Sequence, residues 1–213
     1  MDVQLHYKWS SHQPLIKAVM EEFEPELVVE LGIGIFSTRF FLKDCVKQYI
    51  GIENNKEWLE KMQDEIDFPE NAILRHHSVG FDIAVHLCDV VPEKRQEITE
   101  YYKTFAKEVD LRPEKGKVLF VDNYTACRTL ALRALGRHFD YIIYHDCEPT
   151  AIEWYEYHFG DTFENYKNHN LMAPSWTGLF IKEGIEHNLA QTIEPHIATY
   201  RTENTELTGM SFK

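Results

Sequence analysis

Carboxylates stand where four apolar runs of the sequence end: Glu30, Glu53, Asp122 and Asp146. A carboxylate at such a point can accept hydrogen bonds from ligand hydroxyls, or balance a cationic group in a partly desolvated site. His145 directly precedes Asp146, and the ordinary pKa of histidine suits it to acid–base chemistry near neutral pH. Because open α/β sheets bind ligands at the carboxyl ends of their strands, we expect these residues to surround one site.

A glycine-rich turn follows the first of these runs, in the segment ELGIGIFST at positions 30–38. Glycine at such a turn lets the backbone approach a bound cofactor closely. Glu53 follows Gly34 by 19 residues, a spacing at which a carboxylate accepts both hydroxyls of an adenosine ribose. Glu30 would repel a diphosphate and suit a cationic ammonium or sulfonium. The pattern favours an adenosyl ligand, although the glycines alone do not choose between a dinucleotide and other adenosyl cofactors.

The elements that must position these residues alternate in type along residues 1–150, as expected of strands feeding crossover helices. The nearly continuous apolar centres of the strands indicate burial on both faces of a mostly parallel, doubly wound α/β sheet. The predicted strands are Leu27–Leu31, Tyr49–Glu53, Ala72–Arg75, Lys117–Asp122, Tyr141–Asp146 and Gly178–Lys182, with a further one in the tail after Glu194. The predicted helices are Gln13–Phe23, Phe36–Asp44, Lys56–Ile66 and Thr125–Arg137.

One interruption breaks this alternation, between Ser78 and Gly116. An ordinary crossover is much shorter, so we expect a helical insertion over about 79–116, built on the charged stretch Pro92–Val109 and lying on the rim of the sheet. No repeat, low-complexity segment or Pro/Gly linker divides the sequence. We therefore expect a single domain over 1–213, with an N-terminal helix at about 10–24.

The charge and cysteine content of the sequence disfavour several classes of function. The 213 residues carry 22 Lys and Arg against 35 Asp and Glu, a formal net charge of −13, which disfavours a nucleic-acid acceptor or an anionic membrane surface. The sequence has neither a secretion signal nor a run of 18 apolar residues. The four cysteines are scattered without a C-x-x-C pair, which suits a reducing compartment. We expect a soluble, cytoplasmic protein.

Longer motifs resemble those of a known family. ELGIGIFST at 30–38 and GIENNKEWL at 51–59 resemble the first two motifs of the class I S-adenosylmethionine-dependent methyltransferases. A poorly characterised bacterial and viral branch of that family has similar later motifs. The corresponding segments are WSSHQP at 9–14, FVD at 120–122 with Arg128, and HDCE at 145–148. The resemblance covers roughly residues 9 to 160 and implies a Rossmann-like, seven-stranded sheet.

The resemblance also implies which residues bind S-adenosylmethionine. The methionine moiety would lie against Glu30, Gly32 and Gly34, its carboxylate against Ser37 or Thr38, the ribose against Glu53, and the adenine against Asn54, His77 and Ser78. Asp122 would meet both cofactor and acceptor. His77 and Ser78 could instead form a polar turn, and Asp122 could cap the helix that begins near Thr125.

Methyl transfer is an in-line displacement in which the sulfonium already supplies the leaving group. We expect a catalytic group of Asp122, His145 and Asp146, with His145 as general base if the acceptor is a hydroxyl. A structural role for His145 is the alternative. Metal-dependent O-methyltransferases also place carboxylates at these two strand ends, but they follow the second with asparagine. Here Cys147 follows, which magnesium would not choose.

The histidines also lack zinc-site spacing, so no metal is predicted. The sequence thus predicts S-adenosylmethionine-dependent methyl transfer to a small-molecule or sugar-like acceptor, at oxygen. Two alternatives stay open. An NAD-dependent oxidoreductase would share Gly32, Gly34 and Glu53, but a Tyr-x-x-x-Lys catalytic pair is not recognisable. A non-catalytic S-adenosylmethionine-binding module would keep the cofactor and lose turnover.

Overall fold

The computed structural model describes residues 10–83, 85–149, 159–172, 175–204 and 210–212. Its sheet has the order β3-β2-β1-β4-β5-β7-β6-β8. The strands are β1 Leu27–Leu31, β2 Gln48–Glu53, β3 Ile73–His76, β4 Lys117–Val121, β5 Tyr141–His145, β6 Tyr166–Met172, β7 Thr177–Lys182 and β8 Ser211–Phe212. Strands β1 to β5 run parallel, whereas β7 is antiparallel to β5 and β6 is antiparallel to both β7 and β8. Trp9 lies outside the described residues.

Helices cover both faces of the sheet, as the predicted doubly wound class requires. They are α1 Gln13–Phe23, α2 Thr38–Phe41, α3 Lys56–Glu65, α4 Pro92–Asp110, α5 Thr125–Leu135 and α6 Leu189–Glu203. In β1, Val28 joins the apolar cluster under α1 and α6, whereas Leu27 and Val29 join the cluster under α4 and α5. All five β1 residues are buried, so the strand shows no alternation of apolar and polar residues. None of the helices in the described segments is long and apolar enough to cross a bilayer.

Among the residues that the structure describes, the sheet has eight strands rather than the predicted seven. The strand that was not predicted is β6, Tyr166–Met172. It carries mostly polar and partly exposed side chains, so it lacks the apolar run that is typical of the central strands. Residues after Glu194 continue helix α6 to Glu203, and within the described residues 210–212 Ser211 and Phe212 form a strand. The described part of the tail therefore supplies a two-residue edge strand.

Two predicted helices differ in length from those in the structure. The segment predicted as a helix over Phe36–Asp44 forms only one turn, Thr38–Phe41, so most of the chain between β1 and β2 is irregular. The charged stretch in the predicted insertion forms the long helix α4, Pro92–Asp110, which packs along α5 through Ile98, Tyr102 and Phe105. Helix α4 thus packs on one face of the sheet and not on its rim as expected, and its last turn reaches the start of β4, where Lys117 Nζ donates to Val109 O at 2.8 Å.

Candidate active site

A cavity of about 940 Å³ opens at the carboxyl ends of β1, β2, β4 and β5. Its wall is formed by the turn after β1, the end of β2, the loop 78–83, the ends of β4 and β5, and His12 just before α1. The strand order changes direction between β1 and β4, and open α/β sheets bind ligands at such a point. The carboxyl ends of these strands thus surround a space large enough for a ligand.

The turn after β1 needs glycine at position 32. Gly32 has φ +89°, in the left-handed region, and a Cβ there would collide with the backbone of Asp122 and lie 2.8 Å from Asn123 N. The Gly32 N–H donates to Ile52 O at 2.9 Å, and the Gly34 N–H donates to Thr38 Oγ1 at 3.1 Å. The turn therefore packs directly on the end of β4, and Gly32 and Gly34 both lie on the cavity wall.

The side chain of Glu30 lies behind this turn and does not face the cavity, contrary to the role expected for it. Glu30 is fully buried, and its carboxyl accepts hydrogen bonds from the Ser37 hydroxyl, from Thr38 Oγ1 at 2.9 Å and from the Tyr49 hydroxyl at 2.5 Å. Burial raises the pKa of Glu30 to about 8. A group that is largely protonated and turned inward cannot balance a cationic ligand in the cavity. Ser37 lines the cavity, whereas Thr38 is enclosed with Glu30.

Glu53 ends β2 with its carboxylate on the cavity wall. Its Oε1 accepts hydrogen bonds from the backbone N–H groups of Asn54 and Asn55, both at 2.8 Å, and its Oε2 accepts one from Ile33 N at 3.1 Å. Burial raises the pKa of Glu53, and these three hydrogen bonds oppose the shift. The backbone of two neighbouring turns therefore fixes the carboxylate in one orientation.

The residues expected near an adenine lie beside Glu53. Asn54 and Ser78 line the cavity, and Asn54 Nδ2 donates to His77 O at 2.8 Å, which ties the end of β2 to the segment after β3. The His77 ring points away from the cavity and stacks on Tyr101 of α4, with ring centroids 3.5 Å apart. Burial lowers the pKa of His77 to about 4. Of the three residues expected near the adenine, Asn54 and Ser78 lie on the cavity wall and His77 does not.

Arg128, at the first turns of α5, joins the ends of β4 and β5. Its Nη2 lies 2.7 Å from Asp122 Oδ1, and its Nη1 lies 2.7 Å from Asp146 Oδ2. Its Nε donates to Asn123 O at 2.7 Å. Asp146 has φ +56°, a conformation that non-glycine residues rarely adopt outside special sites. One buried guanidinium therefore holds both carboxylates at the cavity, and Arg128 was absent from the predicted site.

His145 lies between the same two carboxylates. Its Nδ1 is 3.4 Å from Asp122 Oδ1 and 3.4 Å from Asp146 Oδ1, and its Nε2 is 3.2 Å from Ser11 Oγ. Burial by itself would lower the pKa of His145, but the two carboxylates outweigh it and the pKa is raised. Burial would likewise raise the pKa of Asp122, but His145 and Arg128 hold it below its usual value. We call Asp122, Arg128, His145 and Asp146 the charged cluster.

His12 completes the cavity wall from a distant part of the sequence. It is 2% exposed, and its ring centroid lies 4.9 Å from that of His145 in an edge-on arrangement. Burial, followed by the neighbouring His145, lowers the pKa of His12 to about 3. The motif WSSHQP contains His12, so the resemblance marked the segment without assigning the histidine a role. The alternative that Asp122 caps α5 finds no support, because Tyr124 is the N-cap and no side-chain cap bond forms.

Similarity to solved structures is consistent with this architecture. Spermidine synthase from Thermotoga maritima superposes with a TM-score of 0.51 at 15% identity, covering 95% of this chain and 67% of that one. A spermidine synthase in complex with the transition-state analogue AdoDATO gives 0.52 at 14% identity, covering 95% and 68%. The sheet of the described residues is mixed, because β6, β7 and β8 pair antiparallel, whereas the resemblance implied a mostly parallel, seven-stranded sheet. The chain has the class I methyltransferase fold.

A methyltransferase-like protein from Silicibacter pomeroyi is also similar, at a TM-score of 0.48 and 14% identity, with 93% of this chain and 96% of that chain covered. No protein-family model and no curated protein matches the sequence. Within the class I methyltransferase fold, the cavity described above lies at the carboxyl ends of the parallel strands. The eighth strand pairs with β6 at the opposite edge of the sheet from β3, away from the cavity.

Proposed function

We propose that this chain binds S-adenosylmethionine and transfers its methyl group to a hydroxyl of a small-molecule or sugar-like acceptor. The observation that carries the proposal is the cavity position of Glu53, whose carboxylate is held by three backbone N–H groups beside the turn of Gly32 and Gly34. A carboxylate fixed in this way can accept the two ribose hydroxyls of an adenosyl group.

The cofactor would extend along the wall from β2 to β1. Its adenine would lie by Asn54 and Ser78 and its ribose at Glu53. Its methionine moiety would cross the turn of Gly32 and Gly34, with the Ser37 hydroxyl at its carboxylate, so that the sulfonium faces Asp122. Glu30, Thr38 and His77 would support this wall from behind without touching the cofactor.

A dinucleotide fits the same wall poorly. Diphosphate sites use the backbone N–H groups and the dipole of a helix that begins right after the glycine turn. Here α2 is only four residues long, so its dipole is small. The cavity wall also carries the carboxylates of Glu53, Asp82, Asp122 and Asp146 against the single guanidinium of Arg128, and such a charge balance repels a diphosphate and favours a sulfonium.

The charged cluster would act on the acceptor. The acceptor oxygen attacks the methyl carbon, the bond from methyl to sulfur breaks, and its electron pair stays on sulfur, which leaves S-adenosylhomocysteine. The hydroxyl proton passes to the cluster of Asp122, His145 and Asp146, which lies at the carboxyl ends of β4 and β5. The protein's part is to align the two reactants and to exclude water from them.

The size of the cavity supports a small acceptor. A volume of about 940 Å³ lies at the upper end of the range for small-molecule sites, so it can take a nucleoside cofactor with a compact second ligand. The net charge of −13 opposes binding of a nucleic-acid acceptor. We therefore assign the acceptor to small molecules with at least one hydroxyl group.

An amine acceptor is the second candidate. It is favoured by the similarity to two spermidine synthases and by Asp82, which adds a carboxylate to the loop side of the cavity. Such an enzyme would transfer the methyl group from the sulfonium of S-adenosylmethionine to an amine nitrogen of the acceptor. Parallel assays with hydroxylated metabolites and with polyamines as acceptors separate the two candidates.

The test is transfer of tritium from methyl-labelled S-adenosylmethionine to small molecules of a cell extract, separated from macromolecules by filtration. We expect label in a hydroxyl-bearing small molecule, and loss of labelling in Asp122→Asn. The exposed substitution Glu57→Gln serves as the matched control. Label found only in polyamines would favour the second candidate. Cofactor binding without any labelled product would identify a non-catalytic module and overturn the proposal.

A further inference from the structure

Two ring nitrogens of His12 have no hydrogen-bond partner among the residues that the structure describes, although both are buried. The side chain lies on the cavity wall and is 98% enclosed. Buried polar atoms are normally paired, and each exception calls for an explanation such as a bound ion or ligand. An imidazole without a partner, facing a cavity, is available as a ligand for something that enters it.

His12 is one of three residues that could share a cation. His12, Asp122 and His145 each offer one donor atom, and these atoms all lie within 4.8 Å of one another. Bonds of about 2.0–2.2 Å to a tetrahedral ion place its ligand atoms about 3.3 Å apart, so small side-chain rotations bring the three together. Two imidazoles and one carboxylate, with a fourth position left open, are the ligand number and type of catalytic metal sites.

The surroundings of these donors suit a cation. Arg128 Nη2 and His145 Nδ1 both contact Asp122 at Oδ1, at distances of 2.7 Å and 3.4 Å. A neighbour that fixes one oxygen of a ligating carboxylate orients the other. Asp146 adds a second carboxylate beside the three donors. When His145 is neutral, as a metal ligand must be, two negative charges face one guanidinium and leave an excess that a cation can balance.

We propose that His12, Asp122 and His145 bind a divalent first-row transition metal ion, with the open position facing the cavity. The mixed nitrogen and oxygen donors favour Zn²⁺, Mn²⁺ or Fe²⁺ over Mg²⁺, which prefers oxygen ligands. The sequence predicts no metal because the histidines lack a short-range zinc spacing, whereas this site takes His12 from a segment remote from Asp122 and His145. The site's use in catalysis rests on the proposed function: the ion would hold the acceptor hydroxyl and lower its pKa, and Asp146, the proton acceptor of the cluster that is not a ligand, would take the hydroxyl proton.

The test is titration of Co²⁺ into tag-free, chelator-treated full-length protein, followed by visible absorption, which needs neither cofactor nor acceptor. We expect one equivalent of Co²⁺ with ligand-field bands, displaced by Zn²⁺ and not by Mg²⁺. His12→Gln should weaken Co²⁺ binding at least tenfold, and Asp122→Asn should do the same. His196→Gln, at a partly exposed histidine of α6 paired with Glu21, is the matched control and should bind Co²⁺ as the wild type does.

Circular dichroism and thermal unfolding of each variant show whether it folds. If folded His12→Gln binds Co²⁺ as tightly as the wild type, or if the wild type binds no stoichiometric Co²⁺, Zn²⁺ or Mn²⁺, the metal site is wrong. Calorimetric titration of the metal-free protein with S-adenosylmethionine tests the proposed function separately from the metal site. Cofactor binding without metal binding overturns this inference and leaves the proposed function standing. Metal binding without cofactor binding does the reverse.

Discussion

Gly32 lies so close to the backbone carbonyl of Asp122 that no side chain fits between them. The contact joins the turn after β1 to the end of β4, where Asp122 N also donates to Leu31 O at 2.8 Å. The residue expected to touch the cofactor and the residue expected to touch the acceptor are thus parts of one rigid junction. A change at Gly32 should therefore affect both stability and the cavity.

Gly32→Ala should be far more destabilising than an alanine at another left-handed glycine. Gly184 has nearly the same φ, +87°, with nothing within 4 Å of its virtual Cβ, so Gly184→Ala reports backbone strain alone, about 1–2 kcal/mol. Gly32→Ala adds a collision with backbone atoms. Urea unfolding of both variants should show an additional loss of at least about 1 kcal/mol at position 32. Equal losses at the two positions would contradict the close contact.

Glu53→Gln should weaken binding of S-adenosylmethionine between about tenfold and a hundredfold, as expected for losing hydrogen bonds to a charged acceptor. The substitution keeps the size of the side chain but places an amide N–H₂ against a backbone N–H. Calorimetric titration with the cofactor gives the affinity, and Glu57→Gln, exposed on α3, should bind as the wild type does. If folded Glu53→Gln binds S-adenosylmethionine as tightly as the wild type, Glu53 does not contact the ribose.

Glu30 should make the folded state less stable as pH rises. Its folded pKa of about 8 lies above the ordinary value of about 4.3 for an unfolded chain, so between these values the folded state binds more protons. The contribution of Glu30 to the free energy of unfolding is greatest below about pH 4, falls as pH rises to about 8, and is then constant. Relative to the wild type, Glu30→Gln should therefore gain stability steadily from pH 5 to pH 8 in urea unfolding. If the difference in stability between Glu30→Gln and the wild type does not change with pH, the pKa of Glu30 is not raised in the folded protein.

Arg128→Met should lower the free energy of unfolding by about 2–3 kcal/mol, because it leaves two partly buried carboxylates without their guanidinium partner. Adding Asp146→Asn removes one of those charges, so the double variant should recover part of the loss. Arg137→Met, at an exposed arginine just after α5, should change stability by less than about 0.5 kcal/mol. No recovery in the double variant would mean that Arg128 acts through packing and not through charge.

The central parallel strands of the sheet could be predicted from the sequence. Runs such as Leu27–Leu31 and Lys117–Val121 are almost entirely apolar, so both faces of each strand must be buried. Helices on both sides of the sheet provide that burial. Parallel strands bring their carboxyl ends to one edge of the sheet, so the sequence predicted that Asp122, His145 and Asp146 surround one site. The polar edge strand Tyr166–Met172 carries no such signal.

Side-chain directions and distant partners could not be predicted. Every residue of β1 is buried, so the strand has no polar face to show that Glu30 turns toward Tyr49 and away from the cavity. His12 reaches the charged cluster only because α1 packs across the sheet beside Phe120. That approach depends on tertiary packing and leaves no periodic pattern in the segment itself.

The most direct test of the central claim is isothermal titration of the full-length chain with S-adenosylmethionine, S-adenosylhomocysteine and NAD. We predict that S-adenosylmethionine and S-adenosylhomocysteine each bind once per chain with micromolar affinity, that Glu53→Gln weakens the binding of both, and that NAD produces no binding heat. Micromolar binding of NAD, with no binding of S-adenosylmethionine, would contradict this prediction.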